Sequence, residues 1–308
     1  MVSWRNPTAE QRDWDLTTYL TALEEAIDAV VAITGSPDVN LTGACSGGIT
    51  AVSLAAVLAA RGRPLINALT LFVSVFDTAE DTTLLGVFAS EETLAAAKRH
   101  SHVRGVLDGR ELARVFNLLR PNELIWSYWV NNYLLGQRPP AFDILYWNND
   151  TTRLPAALHG QLIDIYRDNA LVHPGAVVVN GTPLDLSRIT ADAFVMAGTT
   201  DHITPWAACY RSARRLGGEV EFALSNSGHI QSILNPPGNP KASYALNAER
   251  PAAPEEWQAG ATTVAGSWWP HWVQWLGKRS GKRVPAPATV GNDRYAPLDA
   301  APGRYVLA

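Results

Sequence analysis

The segment Gly43-Ala44-Cys45-Ser46-Gly47-Gly48 sets a thiol among glycines, where an apolar run ends and a run of small residues begins. A sulfur held on such a turn is a candidate nucleophile. The glycines permit a sharp strand-to-helix turn without Cβ clashes. That turn lifts the sulfur clear of the strand and aims the backbone N–H of Ser46 at an oxyanion forming on a bound carbonyl. The N-terminus of the following helix favours the thiolate. The same pattern also suits a cysteine that only packs behind a buried strand. Partners elsewhere in the chain must decide between the two.

Two later positions offer them. Asp201 stands in Gly198-Thr199-Thr200-Asp201-His202, 156 residues beyond Cys45, and His229 stands in Ser225-Asn226-Ser227-Gly228-His229, another 28 residues on. Each follows a strand-like run. Nucleophile, acid and base in this chain order, each beyond the C-terminal end of a strand, is the arrangement of an α/β-hydrolase. The expected site is therefore a Cys45-His229-Asp201 triad with the Ser46 N–H as an oxyanion donor. His202 adjoins the acid and occupies its turn, so it reads as structural. Cys209 falls on a helix and reads as core. Asp77, at a strand end beside the elbow, reads as structural, with a back-up acid or cap hinge as the other option. His100, His102, His159 and His173 lack metal-ligand spacing with any Cys or carboxylate cluster, so no metal is expected. No Gly-x-Gly-x-x-Gly or P-loop occurs, and no cofactor is expected.

These residues need a parallel sheet to carry them. Leu16, Tyr19, Leu20, Leu23, Ile27, Val30 and Val31 recur at helical steps, with Asp15 as a start signal and Gly35 as a stop. Val39 to Ala44 reads as a short strand, Gly47 to Ala60 as a helix and Leu65 to Val75 as a second strand. The strand pattern resumes at Ala193 to Gly198. It continues with a helix from Trp206 to Leu216, a strand from Val220 to Leu224 and a last helix from Trp268 to Leu276, its Trp face docked on the sheet. Between them the rhythm changes: Glu91 to Arg120 is mainly helical and Trp126 to Tyr146 is aromatic and Asn-rich. The predicted architecture is an α/β fold with residues 1–77 and 190–308 as core and 78–189 as an inserted, mainly helical cap. The tail from Lys278 reads as extended.

Composition narrows the classes. Of 308 residues, 47% are apolar and 18% charged, which excludes a disordered chain. The formal net charge of −4 offers no electrostatic case for nucleic acid or an acidic membrane surface. Two cysteines are too few for a disulfide scaffold and suit a reducing cytoplasm. The first residues lack the apolar stretch of a secretory signal, and no run of ~18 apolar residues exists to span a bilayer.

A set of longer motifs makes the likeness specific. They are Ser3-Trp4-Arg5-Asn6-Pro7, the Cys-containing box around Cys45, Asn122-Glu123-Leu124-Ile125-Trp126-Ser127-Tyr128 and Phe142-Asp143-Ile144-Leu145-Tyr146-Trp147-Asn148. To these add Asp201-His202-Ile203-Thr204-Pro205-Trp206, Ser227-Gly228-His229-Ile230, Asn235-Pro236-Pro237, Gly266-Ser267-Trp268-Trp269-Pro270 and Pro302-Gly303-Arg304-Tyr305-Val306. Over essentially its whole length the chain resembles the catalytic domain of the polyhydroxyalkanoate synthases, closest to the single-subunit classes I and II. The resemblance implies an acyltransferase that polymerises 3-hydroxyacyl groups from coenzyme A thioesters. Coenzyme A is then a leaving group rather than a cofactor. It also implies Cys45 as acyl carrier, His229 as base, and Asp201 with a further part in activating the incoming hydroxyl. Implied surroundings are the 3-hydroxyacyl-CoA substrate, the surface of polyester granules in the cytoplasm and, for the oligomer, a homodimer. A Cys thioesterase or lactone hydrolase, or a granule-binding fragment without turnover, would share the fold.

Members of that family carry a sizeable N-terminal region before the point matching Met1. If Val2 to Trp4 is the fourth strand of the usual hydrolase order, the third strand and the loop giving the second oxyanion donor lie outside the chain. The strand bearing Cys45 then becomes an edge, or Val2 to Trp4 pairs with it. Leu20, Leu23 and Ile27 would be less well covered, and the chain would self-associate with low synthase activity.

Overall fold

The computed structural model describes residues 1–79, 90–119, 125–139, 141, 150–301, 303 and 304. Helix α1, Leu16–Thr34, begins directly after Asp15 and ends at Gly35, whose φ of 69° is left-handed and whose N–H reaches the carbonyl of Val31 at 2.8 Å. Strand β1 is Val39–Ala44, helix α2 Ser46–Ala60 and strand β2 Ile66–Phe72. Further along come β3 (Asp192–Gly198), α3 (Trp206–Ala213), β4 (Val220–Ser225) and α4 (His229–Leu234). The series closes with β5 (Ser243–Leu246), α5 (Pro254–Ala259), β6 (Thr262–Ala265) and α6 (Trp269–Gly277).

These strands form one sheet in the order β1-β2-β3-β4-β5-β6. The first three pairings are parallel; β5 and β6 are antiparallel additions. Gly43 lies opposite Leu71, Leu71 opposite Val195 and Val195 opposite Phe222. That register brings the C-terminal ends of β1 to β4 into one line, and from this line the turns after β1, β3 and β4 emerge.

Burial follows sheet position. β2, β3 and β4 are buried over nearly their whole length, as parallel strands covered on both faces are. β1 instead alternates covered and exposed residues, with Gly43 alone fully buried, and among the described strands it pairs with β2 alone. Among the described strands β1, which leads to Cys45, thus lies at an end of the sheet, one of the two expected outcomes. The other, pairing through Val2 to Trp4, does not occur: those residues form no strand. They lead instead into a 3-10 turn, Ala9–Gln11, where Thr8 and Gln11 bond reciprocally as a capping box. Leu20 and Ile27 are also well covered, 2% and 6% exposed, because α1 packs on α2. Leu23 is half-buried, and the large apolar residues of α1 left exposed are Val30 and Ile33 near its end.

Helix α6 docks as expected. Trp268 and Trp275 are buried with Phe72, Phe194, Met196 and Tyr244 in one cluster. The Trp268 indole donates to the carbonyl of Ser232 at 2.8 Å and that of Trp269 to Ile233 at 3.0 Å, so the cluster also holds α4. Beyond Lys278 the described residues carry no helix or strand. The carbonyl of Arg279 accepts from Asn40 and Asn67, and Asn292 donates to the carbonyl of Ala32.

The chain divides into two compact units. One, Leu16–Thr83 with Asp164–Pro297, holds the sheet. The other comprises Met1–Asp15, Leu84–Ile163 and Leu298–Ala308, so residues 1–15 group with the helical segment and 164–189 with the sheet. Within the second unit lie helices Glu91–Arg104 and Gly109–Leu119, a π-helical turn at Trp129–Leu134 and a short ladder between Val106–Leu107 and Leu154–Pro155. Its first helix is capped by Ser90, whose hydroxyl accepts from the Thr93 N–H, and ends on left-handed Gly105. The motif residues Asn122 to Leu124, Phe142 to Asn148, Pro302, Tyr305 and Val306 lie outside the described residues. No described helix is long and apolar enough to cross a membrane.

Candidate active site

Cys45 occupies a backbone position that few side chains tolerate. Its φ is 52° and ψ −124°, directly between the end of β1 and the start of α2. A non-glycine residue at positive φ is strained, and such strain persists only where the surroundings enforce it. Here the Cys45 N–H is held by the carbonyl of Phe72 at 2.9 Å, and its carbonyl takes the N–H of Gly48 at 2.9 Å. Close packing makes glycine necessary on either side. A Cβ on Gly43 would come within 2.7 Å of the Gly47 carbonyl, and one on Gly48 within 2.1 Å of the Ser74 hydroxyl. Gly47 has open space around it, so of the two adjacent glycines the packing requires Gly48. Ser46 is the first residue of α2 and exposed. Its N–H belongs to the helix's unpaired first turn, as an oxyanion donor requires.

The turns after β3 and β4 are locked together. The Thr200 N–H donates to the carbonyl of Ser227 at 3.2 Å, and a Cβ on Gly198 would meet that same carbonyl at 2.7 Å. This approach carries Asp201 to His229: Nδ1 of the imidazole lies 2.7 Å from Oδ2 of the carboxylate. Asp201 is 6% exposed. Its Oδ1 accepts the backbone N–H groups of Ile203 (2.9 Å) and Thr204 (3.0 Å). Its Oδ2 accepts the Thr204 hydroxyl at 2.8 Å as well as His229.

The electrostatics follow from these contacts. Burial opposes a charged imidazole, yet the hydrogen bond to Asp201, then the hydrogen bond and charge of Cys45, lift His229 from 6.5 to about 9. Burial likewise opposes the Asp201 carboxylate, but the hydrogen bond and charge of His229 and the Thr204 donors hold it below its ordinary value. The structure therefore puts His229 in hydrogen-bond contact with Asp201 and near enough to Cys45 for that thiol to raise its pKa. The imidazole that meets Asp201 is that of His229; His202 lies half-buried in the acid's own turn.

The remaining candidates fall elsewhere. Cys209 is fully buried on α3, its thiol 3.6 Å from the carbonyl of Thr204. Asp77 is completely buried and paired with Arg215 at 2.7 Å, with Asn169 and the Ala79 N–H as further donors, a structural role. Burial presses its pKa up, but these partners bring it below the ordinary value. His159 bonds Ser101 at 2.9 Å and His100 bonds Glu111 at 3.0 Å, both within the second unit. Among the described residues no group of three or more His, Cys, Asp or Glu is placed to hold a metal. Thr204 escaped the sequence reading, although an Asp followed three residues later by Thr is the pattern of a turn that ties its own carboxylate down.

Comparison with known proteins bears on what such a site serves. The chain is 59% identical over 306 residues to poly(3-hydroxyalkanoate) polymerase 1 of Ectopseudomonas oleovorans, covering 99% of this chain and 55% of that protein. It is 40% identical over 317 residues to the poly(3-hydroxyalkanoate) polymerase subunit PhaC of Cupriavidus necator, covering 100% of this chain and 53% of that protein. The chain thus spans about half the length of these curated relatives. A solved hydrolase from Pseudomonas aeruginosa PA01 is 19% identical, with a TM-score of 0.41, over 75% of this chain and 69% of that one. Residues 1–236 match the family model of the α/β-hydrolase fold. Since that match covers most of the chain, and the sheet is mostly parallel with Cys45, Asp201 and His229 each just beyond a strand end, the chain belongs to the α/β-hydrolase fold family.

Proposed function

We propose that this chain is the catalytic part of a polyhydroxyalkanoate synthase, joining 3-hydroxyacyl groups from coenzyme A thioesters into a polyester. The observation that carries this is 59% identity, over 99% of the chain, to a protein named as such a polymerase. The contacts at Cys45 are consistent with the chemistry. In the first half-reaction the Cys45 thiol passes its proton to Nε2 of His229, and the sulfur attacks the thioester carbonyl. The oxyanion meets the Ser46 N–H. Collapse expels coenzyme A as a thiolate, which takes the proton from Nε2 and leaves an acyl group on Cys45. Thioester-for-thioester exchange is near thermoneutral, so the acyl group keeps its activation. In the second half-reaction a 3-hydroxyl gives its proton to Nε2 while its oxygen attacks the acyl carbon, forming the ester and returning the proton to the Cys45 sulfur.

Asp201 has one role in this scheme. Its two oxygens already accept from four donors, Ile203, Thr204 (twice) and His229, so no lone pair remains for an incoming hydroxyl. This favours His229 as the base of both half-reactions, with Asp201 acting through it, over a separate duty for Asp201 in elongation.

The test is to mix the protein with 3-hydroxybutyryl- or 3-hydroxydecanoyl-CoA and follow thiol release together with product. Polymer supports the proposal. Free hydroxy acid would instead identify a hydrolase, and an absence of thiol release would identify a binding fragment without turnover.

A further inference from the structure

Thr204 stands where a substituent on either side would disturb the acid–base pair. It is 7% exposed, and its hydroxyl oxygen lies 2.8 Å from Oδ2 of Asp201 and 3.1 Å from Nδ1 of His229. With the 2.7 Å bond between His229 and Asp201, three polar atoms close a triangle. Charge decides how its protons are arranged. Asp201 is an ionised acceptor, so the hydroxyl proton points at Oδ2 and the oxygen's lone pair faces the imidazole. Nδ1 must then carry a proton, which it shares between Oδ2 and the threonine oxygen. An imidazole with a bare Nδ1 would set its lone pair against both.

We propose that Thr204 is a positioning residue of the site: its hydroxyl commits His229 to the tautomer protonated at Nδ1, leaving Nε2 as the one atom that exchanges protons with Cys45 and substrate. The hydroxyl also draws charge from the oxygen that faces the ring, so it limits how strongly Asp201 stabilises the imidazolium. Among the described residues the charged groups that act on His229 are Asp201 from the turn after β3 and Cys45 from the turn after β1; Cys209 of α3 faces Asp201 and the Thr204 carbonyl. Thr204 therefore works against the upward pull that those partners exert on the imidazole.

The inference concerns the site whatever acyl acceptor it serves, and its test needs no polymerisation. The rate of iodoacetamide alkylation of Cys45 is measured against pH, and the His229 ring is followed by nitrogen NMR. Thr204→Val removes the donor to Oδ2 while keeping the shape. The His229 titration, and the inflection it gives the alkylation profile, should rise by about half to one pH unit, the scale of one charge-assisted hydrogen bond. Thr204→Ser should return both to the original position, which a purely packing role would not require. An unmoved or lowered titration in a folded valine variant overturns the proposal. So does an Nε2–H tautomer in the unaltered protein below saturation of the ring, a measurement that holds even if the valine variant fails to fold.

Discussion

The two cysteines lie near enough that the charge of Cys45 is felt at Cys209, yet their surroundings oppose each other. Cys209 sits inside α3 with ordinary helical neighbours and no exposure. Burial first, then the charges of Asp201 and Cys45, push its thiol well above the usual range. Cys45 is half-exposed at positive φ, at the mouth of a helix and beside His229. The contrast teaches that backbone position decides how accessible each sulfur is. A strained turn presents the sulfur, whereas a helix interior hides it.

The largest expected effect breaks this contrast at its root. Cys45→Ala should abolish covalent labelling by an acyl-CoA analogue, while Cys209→Ala leaves it intact; mass spectrometry of the labelled peptides decides. Labelling that follows Cys209 would reverse the assignment. Next in size, His229→Gln removes the base proposed for Cys45 and should slow acylation by about 10²-fold or more. Asp201→Asn should slow acylation and elongation by similar, smaller factors, because it acts on both through His229. Single-turnover measurement of each half-reaction exposes any difference, and a loss confined to elongation would restore a separate role for Asp201.

A third prediction sharpens the electrostatic side. Two of the influences that raise His229 come from Cys45, so Cys45→Ala should bring the titration down from about 9 toward 6.5. The sign for stability follows. A raised imidazole pKa contributes stability that is complete below 6.5 and is lost as pH rises through about 9. In Cys45→Ala that alkaline loss should therefore begin at lower pH, as denaturant unfolding between pH 6 and 10 would reveal.

Smaller again is the cost of Cys209→Ala. The sulfur fills a packed site, and its removal should lower stability by about 1 kcal/mol without touching the pH profile. The smallest effect concerns the strands beneath the two residues. β3, which leads to α3, is interior, but among the described strands β1 lies at an end of the sheet and carries no charged residue to blunt it. The chain should self-associate at high concentration, and Thr42→Lys on the exposed edge should reduce this in sedimentation measurements.

Much of this was legible because it is local. Val39–Ala44, the strands ending at Gly198 and near Ser225, and the stop at Gly35 rest on short runs of apolar residues and on turn chemistry. The antiparallel pair β5 and β6 escaped notice, since Ser243–Leu246 and Thr262–Ala265 are four residues each and gain their strand character only by pairing. Val2 to Trp4 misled for the converse reason. A valine and a tryptophan around one serine look like a strand, but these residues form none, and the chain leads into the capping box at Thr8 instead.

The sequence by itself determined which residues could act and in what order they meet the sheet. Cys45, Asp201 and His229 each follow a strand signal, and parallel pairing puts such positions at one end whatever lies between them. Only the tertiary structure decided how they are held. That Gly48 rather than Gly47 is indispensable depends on Ser74, and that Asp201 has no lone pair to spare depends on Thr204 turning back onto it. Hydrogen bonds and van der Waals contacts fall off within an ångström or so, so such choices appear only once the chain has closed on itself.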